Sequence, residues 1–218
     1  MVDTIPSSFK MGTMFWRLTL FLSVFVTLLP GCASVKYAKV PKGEVGGRLT
    51  IEWVGPDKFI YRPDVQKPFY FKRANGEVIQ PKAIYTDGGS IPRPLWALRG
   101  YSPWGYGPAF IAHDWLFDAH HCNLPAAKNY SVFTAADVLA EVMKTLMEAP
   151  NAQVIRSPYL LYTIDAAVRT PIAQKLWNEG QCSPPPPPSV MPQRLFRVPS
   201  SVEDTRGWTV TYDLDRLK

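Results

Sequence analysis

The chain changes texture sharply near Pro92, and that change limits the folds open to it. From Gly47 to about Ile84, β-forming residues alternate with polar ones: Arg48-Leu49-Thr50-Ile51-Glu52-Trp53-Val54, then Lys58-Phe59-Ile60-Tyr61, then Phe69-Tyr70-Phe71-Lys72. Successive side chains of a strand point to opposite faces, so the pattern describes strands with one face buried. Asn75-Gly76, set between Phe71 and Val78, is the strongest hairpin signal, because these residues tolerate the positive φ of a tight turn. From Pro92 onward the period becomes helical. It predicts a short turn from Pro94 to Leu98 and helices from about Pro108 to Ala119, Thr134 to Glu148 and Val154 to Trp177. Pro171 falls inside the last of these, where its missing N–H predicts a kink or a split. The expected class is α+β, a small antiparallel β-sheet followed by a bundle of three or more α-helices.

The two ends read differently. Lys10 and Arg17 precede an apolar run from Leu18 to Leu29 that is too short to span a bilayer as a free helix, and the run ends at Leu29-Pro30-Gly31-Cys32. This is the pattern of a secretion signal. Gly31-Cys32 resembles the lipobox of bacterial lipoproteins, in which the cysteine becomes the lipidated first residue, although Pro30 departs from the small residue usual there. An uncleaved signal anchor is the alternative. Ala33 and Ser34 carry no aspartate, so the resemblance to Gram-negative lipoproteins implies the outer membrane, facing the periplasm. The expected organisation is a signal peptide over 1–31, a membrane-proximal linker over 32–46, one α+β domain over 47–182 and a proline-rich spacer with a tail over 183–218. Pro184 to Pro188 favour a stiff polyproline II segment. Beyond them, Trp208-Thr209-Val210-Thr211-Tyr212 is strand-like. A mobile arm, an added edge strand and a partner-binding segment are all open, with mobility the favoured expectation.

The formal charge of +6 comes from lysines and arginines scattered between Lys36 and Lys218. No basic run interleaves with aromatics as a nucleic-acid groove requires, so nucleic acid is not an expected partner. A basic face near an anionic membrane accounts for the charge equally well. With Cys32 lipidated, Cys122 and Cys182 remain and can pair in an oxidising compartment, the alternative being two unpaired thiols. His120-His121-Cys122 lacks the spacing of a structural zinc site.

The residues that carry chemistry are Asp87-Gly88-Gly89 and the pair His113-Asp114. Phe110, Ile111, Leu116 and Phe117 surround that pair with apolar side chains, so Asp114 needs a hydrogen bond, a counter-charge or a cation. One reading has His113 and Asp114 hold neighbouring loops by hydrogen bonding. The other has Asp114 bind a hard cation while His113, oriented by another carboxylate, acts as a base. Asp137 is the first candidate for that carboxylate and Asp165 the second. Thr134-Ala135-Ala136-Asp137 also fits a capping box, which would assign Asp137 to the helix start instead. Ser90 has no Gly-x-Ser-x-Gly elbow around it.

Thr86-Asp87-Gly88-Gly89-Ser90-Ile91-Pro92, Trp96, His113-Asp114-Trp115-Leu116-Phe117 and Ala136-Asp137, in that order, resemble the phage- and bacteria-associated domain of unknown function 1353. The resemblance spans about Val40 to Trp177. The His-Asp helix followed by an Ala-Asp helix is also similar to the helix pair of phospholipase A2 enzymes. That resemblance implies His113 as base, Asp114 as calcium ligand with carbonyls of Asp87-Gly88-Gly89, Asp137 as orienter and a phospholipid or other ester as substrate. Phe117 stands where those enzymes usually carry tyrosine, and their cysteine framework is absent. The competing expectation is a non-enzymatic envelope lipoprotein, phage-encoded in one form, that binds an envelope protein or blocks infection.

Overall fold

The computed structural model describes residues 31–55, 58–88, 97–102, 104–188 and 209–217. Residues 31–39 are helical (α1). Six strands follow: β1 (Glu44–Gly46), β2 (Arg48–Gly55), β3 (Lys58–Pro63), β4 (Tyr70–Lys72), β5 (Val78–Ile79) and β6 (Ile84–Thr86). Helices α2 (Gly107–His121), α3 (Val132–Met147), α4 (Pro158–Ala167) and α5 (Pro171–Glu179) come next, and β7 (Thr209–Asp213) closes the order with a 3-10 turn, Leu214–Leu217. The class is α+β, as the change of texture requires.

The strands form two antiparallel sheets rather than one. A three-stranded sheet has the order β1-β4-β5 and a four-stranded sheet the order β6-β3-β2-β7. The Asn75-Gly76 signal is realised as the β4–β5 hairpin, with Phe71 opposite Ile79 and Lys72 opposite Val78. Gly76 takes φ +87°, and the turn is closed by the Gly76 amide donating to the Arg73 carbonyl at 2.9 Å and by the Arg73 amide donating to the Glu77 carbonyl at 2.8 Å. Only a residue without a Cβ adopts that φ at no steric cost.

Helix α2 is the central element. Ala109, Phe110, Ile111, Ala112, Trp115, Leu116 and Ala119 are all buried, and a helix apolar around most of its circumference belongs inside a core. It packs against α3 on one side and β6 on the other. Leu49, Ile51, Tyr61 and Phe71 of the sheets, with Phe69 just before β4, join Leu139, Met143, Leu161 and Trp177 of the helices in one apolar cluster. The Val154–Trp177 helix splits as Pro171 predicts: α4 ends at Ala167, Thr170 caps the next start, and Pro171 occupies the first helical position, where an N–H would be unpaired anyway.

Three expectations require correction. The capping box at Thr134 is not formed: Ser131 is the cap, its hydroxyl accepting from the Thr134 amide at 3.2 Å, so α3 starts earlier and Asp137 lies in its second turn. Residues 32–46, expected as a linker, contribute α1 and β1, with Ala33, Tyr37, Val40 and Val45 buried. Lys144 Nζ fastens this segment to α3 by donating to the carbonyls of Tyr37 (3.0 Å) and Val40 (2.7 Å), and the Gly43 amide donates to Thr145 Oγ1 at 3.0 Å. The tail, expected to be mobile, adds β7 to the free edge of β2, with Thr211 opposite Thr50 and Asp213 opposite Arg48. Residues 1–30, expected to belong to a signal peptide, and residues 189–208 lie outside the described residues.

Candidate functional site

Strand β6 and helix α2 bring the two acidic segments together. Thr86 ends β6 and is buried; its hydroxyl donates to Asp114 Oδ2 at 2.8 Å and accepts from the Gly88 amide at 2.9 Å. The second bond turns the chain directly after Asp87, and Gly88 takes φ +82° to make that turn. Asp87 and Asp114 therefore line the same open cleft, about 600 Å³ in volume, together with Lys58, Phe59, Tyr85 and Thr86. Ser183 and Pro184 complete the wall. Gly89 lies outside the described residues, as does Ser90.

The C-terminal wall is held by the edge of α2. Asp114, Asp118 and Cys122 are spaced four residues apart and share one face of the helix. Cys122 is disulfide-bonded to Cys182, with Cα atoms 4.5 Å apart. The Ser183 backbone lies beside the Asp118 carboxylate; burial raises the pKa of that carboxyl, while Ser183 and the nearby His121 act against the rise. The paired cysteines thus seat the start of the polyproline segment against the cleft.

His113 is 8% exposed. Its Nδ1 lies 3.5 Å from Asp114 Oδ1, and its ring packs against Phe117 with centroids 4.8 Å apart. Nε2 is buried with no hydrogen-bond partner. Neither candidate orienter reaches it by a hydrogen bond to that nitrogen, because both carboxylates are engaged elsewhere. Asp137 pairs with Arg169, and Asp165 pairs with Arg169 at 2.8 Å and with Lys36 at 3.0 Å. The neighbour of His113 is thus its own sequence partner, Asp114, and the expected His113–Asp137 relay is replaced by an arginine-centred ion-pair knot joining α1, α3 and the end of α4.

Among the described residues, no group of three or more histidine, cysteine, aspartate or glutamate side chains is arranged to hold a metal ion. Asp87 and Asp114 supply carboxylate oxygens to one cleft, whereas a calcium shell takes six to eight oxygens. The side chains thus fit part of such a shell, and backbone carbonyls would have to supply the rest. Chemically the cleft offers two carboxylates, one ammonium, a phenol and an apolar floor at Phe59. Lys58, Ser183 and Pro184 were not legible as site residues. Lys58 arrives through the β3–β6 pairing, and the other two through a disulfide spanning 60 residues.

Residues 64–155 match the family model described as "Protein of unknown function (DUF1353)". The matched stretch runs from the end of β3 to the loop before α4 and includes Asp87, His113, Asp114 and Asp137. It is shorter than the span over which the motifs resemble that family, and it leaves out Cys182, Ser183 and β7. No curated protein and no solved structure matches the chain.

Proposed function

We propose that this DUF1353-like protein is a lipid-anchored binding protein of the bacterial cell envelope, tethered through Cys32 and presenting the Asp87/Asp114 cleft to a partner on the periplasmic side. One observation carries the reading: of three cysteines, two are joined to each other and the third, Cys32, is exposed at the start of α1. A bilayer tether needs Cys32 left unpaired, and a disulfide is at home in an oxidising compartment. The apolar run ending at Leu29 and the Gly31-Cys32 pair support the same reading. Metabolic labelling with a radioactive fatty acid, followed by mass spectrometry of the N-terminal peptide, tests it. Acylation of the wild type and its loss in Cys32→Ser are expected; an unmodified Cys32 in envelope fractions would sink the proposal.

A calcium-dependent ester hydrolase is the second reading, favoured by the convergence of Asp87 and Asp114 on one cleft. Bound calcium would polarise an ester carbonyl there. His113 would have to take the proton of water at Nε2, the nitrogen left without a partner, and no carboxylate other than Asp114 stands near its ring nitrogens among the described contacts. Calorimetric titration of the full chain with calcium chloride, beside Asp114→Asn and Asp87→Asn, separates the readings. Heat of binding abolished by both substitutions supports the hydrolase site; absence of heat in the folded wild type removes it.

A further inference from the structure

The cleft carries charges of both signs that the protein does not use on each other. Lys58 and Asp114 both line it. Among the described residues Lys58 makes no ion pair, and the one basic group near the Asp114 carboxylate is the His113 ring, 3.5 Å from Oδ1. The β3–β6 register shows what stands between the two charges. Phe59 lies opposite Thr86, whose hydroxyl donates to Asp114 at 2.8 Å, and Lys58 precedes Phe59 as the first residue of β3. Going from Asp114 to Lys58 therefore crosses the Phe59–Thr86 pair. Its apolar member is steadied by Trp104, edge-on with ring centroids 4.7 Å apart.

The acidic end is fixed in advance. Thr86 Oγ1 accepts from the Gly88 amide, and its single proton goes to Asp114 Oδ2. The Asp114 side chain is still 29% exposed, and a carboxylate has acceptor sites beyond the two contacts it makes here. At the other end Lys58, exposed at the start of its strand, is a point charge on a flexible stem that can meet an incoming carboxylate. A cleft of about 600 Å³ falls within the size range of small-molecule sites. The ammonium of Lys58 repels a bare divalent cation, and the carboxylate of Asp114 repels a bare anion. A molecule that carries both signs, with hydrocarbon between them, meets neither objection.

We propose that the cleft binds a small zwitterion of the amino-acid class, with its ammonium on Asp114, its carboxylate on Lys58 and its hydrocarbon portion over Phe59. The inference rests on the reading of the cleft as a binding surface given above, and does not depend on the tether at Cys32.

The test is calorimetry on the full chain with γ-aminobutyrate and ε-aminocaproate, each beside the alkylamine and the fatty acid of the same carbon number. The better zwitterion is expected to bind about tenfold or more tightly than either of its single-charge counterparts. Lys58→Met should erase its advantage over the alkylamine, and Asp114→Asn its advantage over the fatty acid. Lys58 is exposed at a strand end, so the urea midpoint of Lys58→Met should stay near that of the parent. Equal affinity for a zwitterion and its alkylamine, or zwitterion affinity that Lys58→Met leaves unchanged, overturns the proposal. Heat from calcium chloride with none from either zwitterion also overturns it and assigns the cleft to a cation. Mass spectrometry of the same sample reads Cys32 separately. Zwitterion binding by protein with an unmodified Cys32 keeps this site and removes the tether, whereas acylated protein indifferent to the pairing of charges keeps the tether and removes the site.

Discussion

Arg73 is the polar residue whose removal should destabilise the fold most. Its guanidinium bonds both oxygens of Glu141, at 2.6 and 2.8 Å, and also Glu77 at 3.0 Å, tying the β4–β5 hairpin to α3. Glu141 is buried, so Arg73→Met strands a carboxylate away from water and should cost about 3–5 kcal/mol. The double variant Arg73→Met/Glu141→Leu removes both charges and should recover most of that loss. Urea unfolding of the two variants and the parent decides the matter; equal losses would show that the hairpin needs the ion pair itself. Asp118 supplies a pH test at the same scale. Burial raises its pKa in the folded state above the ordinary aspartate value. The folded protein therefore binds its proton more readily than the unfolded chain does. The stabilisation is full below the unfolded pKa and is lost as pH rises through the folded one. Asp118→Asn keeps the shape of the side chain but does not titrate, so the stability of the parent relative to this variant should fall as pH climbs through that window. Urea midpoints measured on both sides of it check the sign.

At the scale of elements, β7 covers an edge that would otherwise be open. Its five residues pair with Arg48 through Glu52 of β2, the Leu214 amide donates to the Gly47 carbonyl at 2.9 Å, and Leu214 and Leu217 are buried. A chain ending before residue 209 should expose the β2 edge, exchange its β2 amides faster and self-associate, because an unpaired strand edge is a template for another chain. Hydrogen exchange and light scattering read the two effects. The cap of α3 is a smaller lever: Ser131→Ala should cost about 1 kcal/mol in thermal or urea unfolding. These two elements also mark what can be read from the chain alone. The Asn75-Gly76 hairpin and the break at Pro171 were legible because each depends on residues within a few positions of one another. The β2–β7 pairing joins Thr50 to Thr211 across 161 residues, and strand propensity at Thr209–Tyr212 does not say which edge it will find. Ser131 and Thr134 both cap well, and the choice between them follows from how far α3 packs. In the site, Asp87 and Asp114 were legible as acidic groups in an apolar setting. The assignment of Asp137 to Arg169 depends instead on the approach of α3 to the end of α4, which no local spacing encodes.

For the molecule as a whole, the Cys122–Cys182 bond decides whether the cleft keeps its far wall. It closes a loop of 60 residues containing α3, α4 and α5, and chain-entropy arguments put its contribution at about 4 kcal/mol, acting mainly on the unfolded chain. Helix α5 has anchors of its own: Trp177 is buried, His120 stacks on it with centroids 4.1 Å apart, and His121 Nε2 lies 3.1 Å from the carbonyls of Leu176 and Trp177. Ser183 and Pro184 have much less: beyond the disulfide, the Ser183 backbone lies beside the Asp118 carboxylate. Replacing both cysteines with serine should therefore act in two separable ways. The urea midpoint should fall, while the helical circular dichroism of the folded protein stays nearly that of the parent. Amides of residues 180–183 should exchange much faster, with those of α5 little changed. If α5 loosens together with the segment after it, the aromatic and histidine contacts do not suffice to dock that helix, and the disulfide supports the whole C-terminal side of the domain rather than the cleft wall alone.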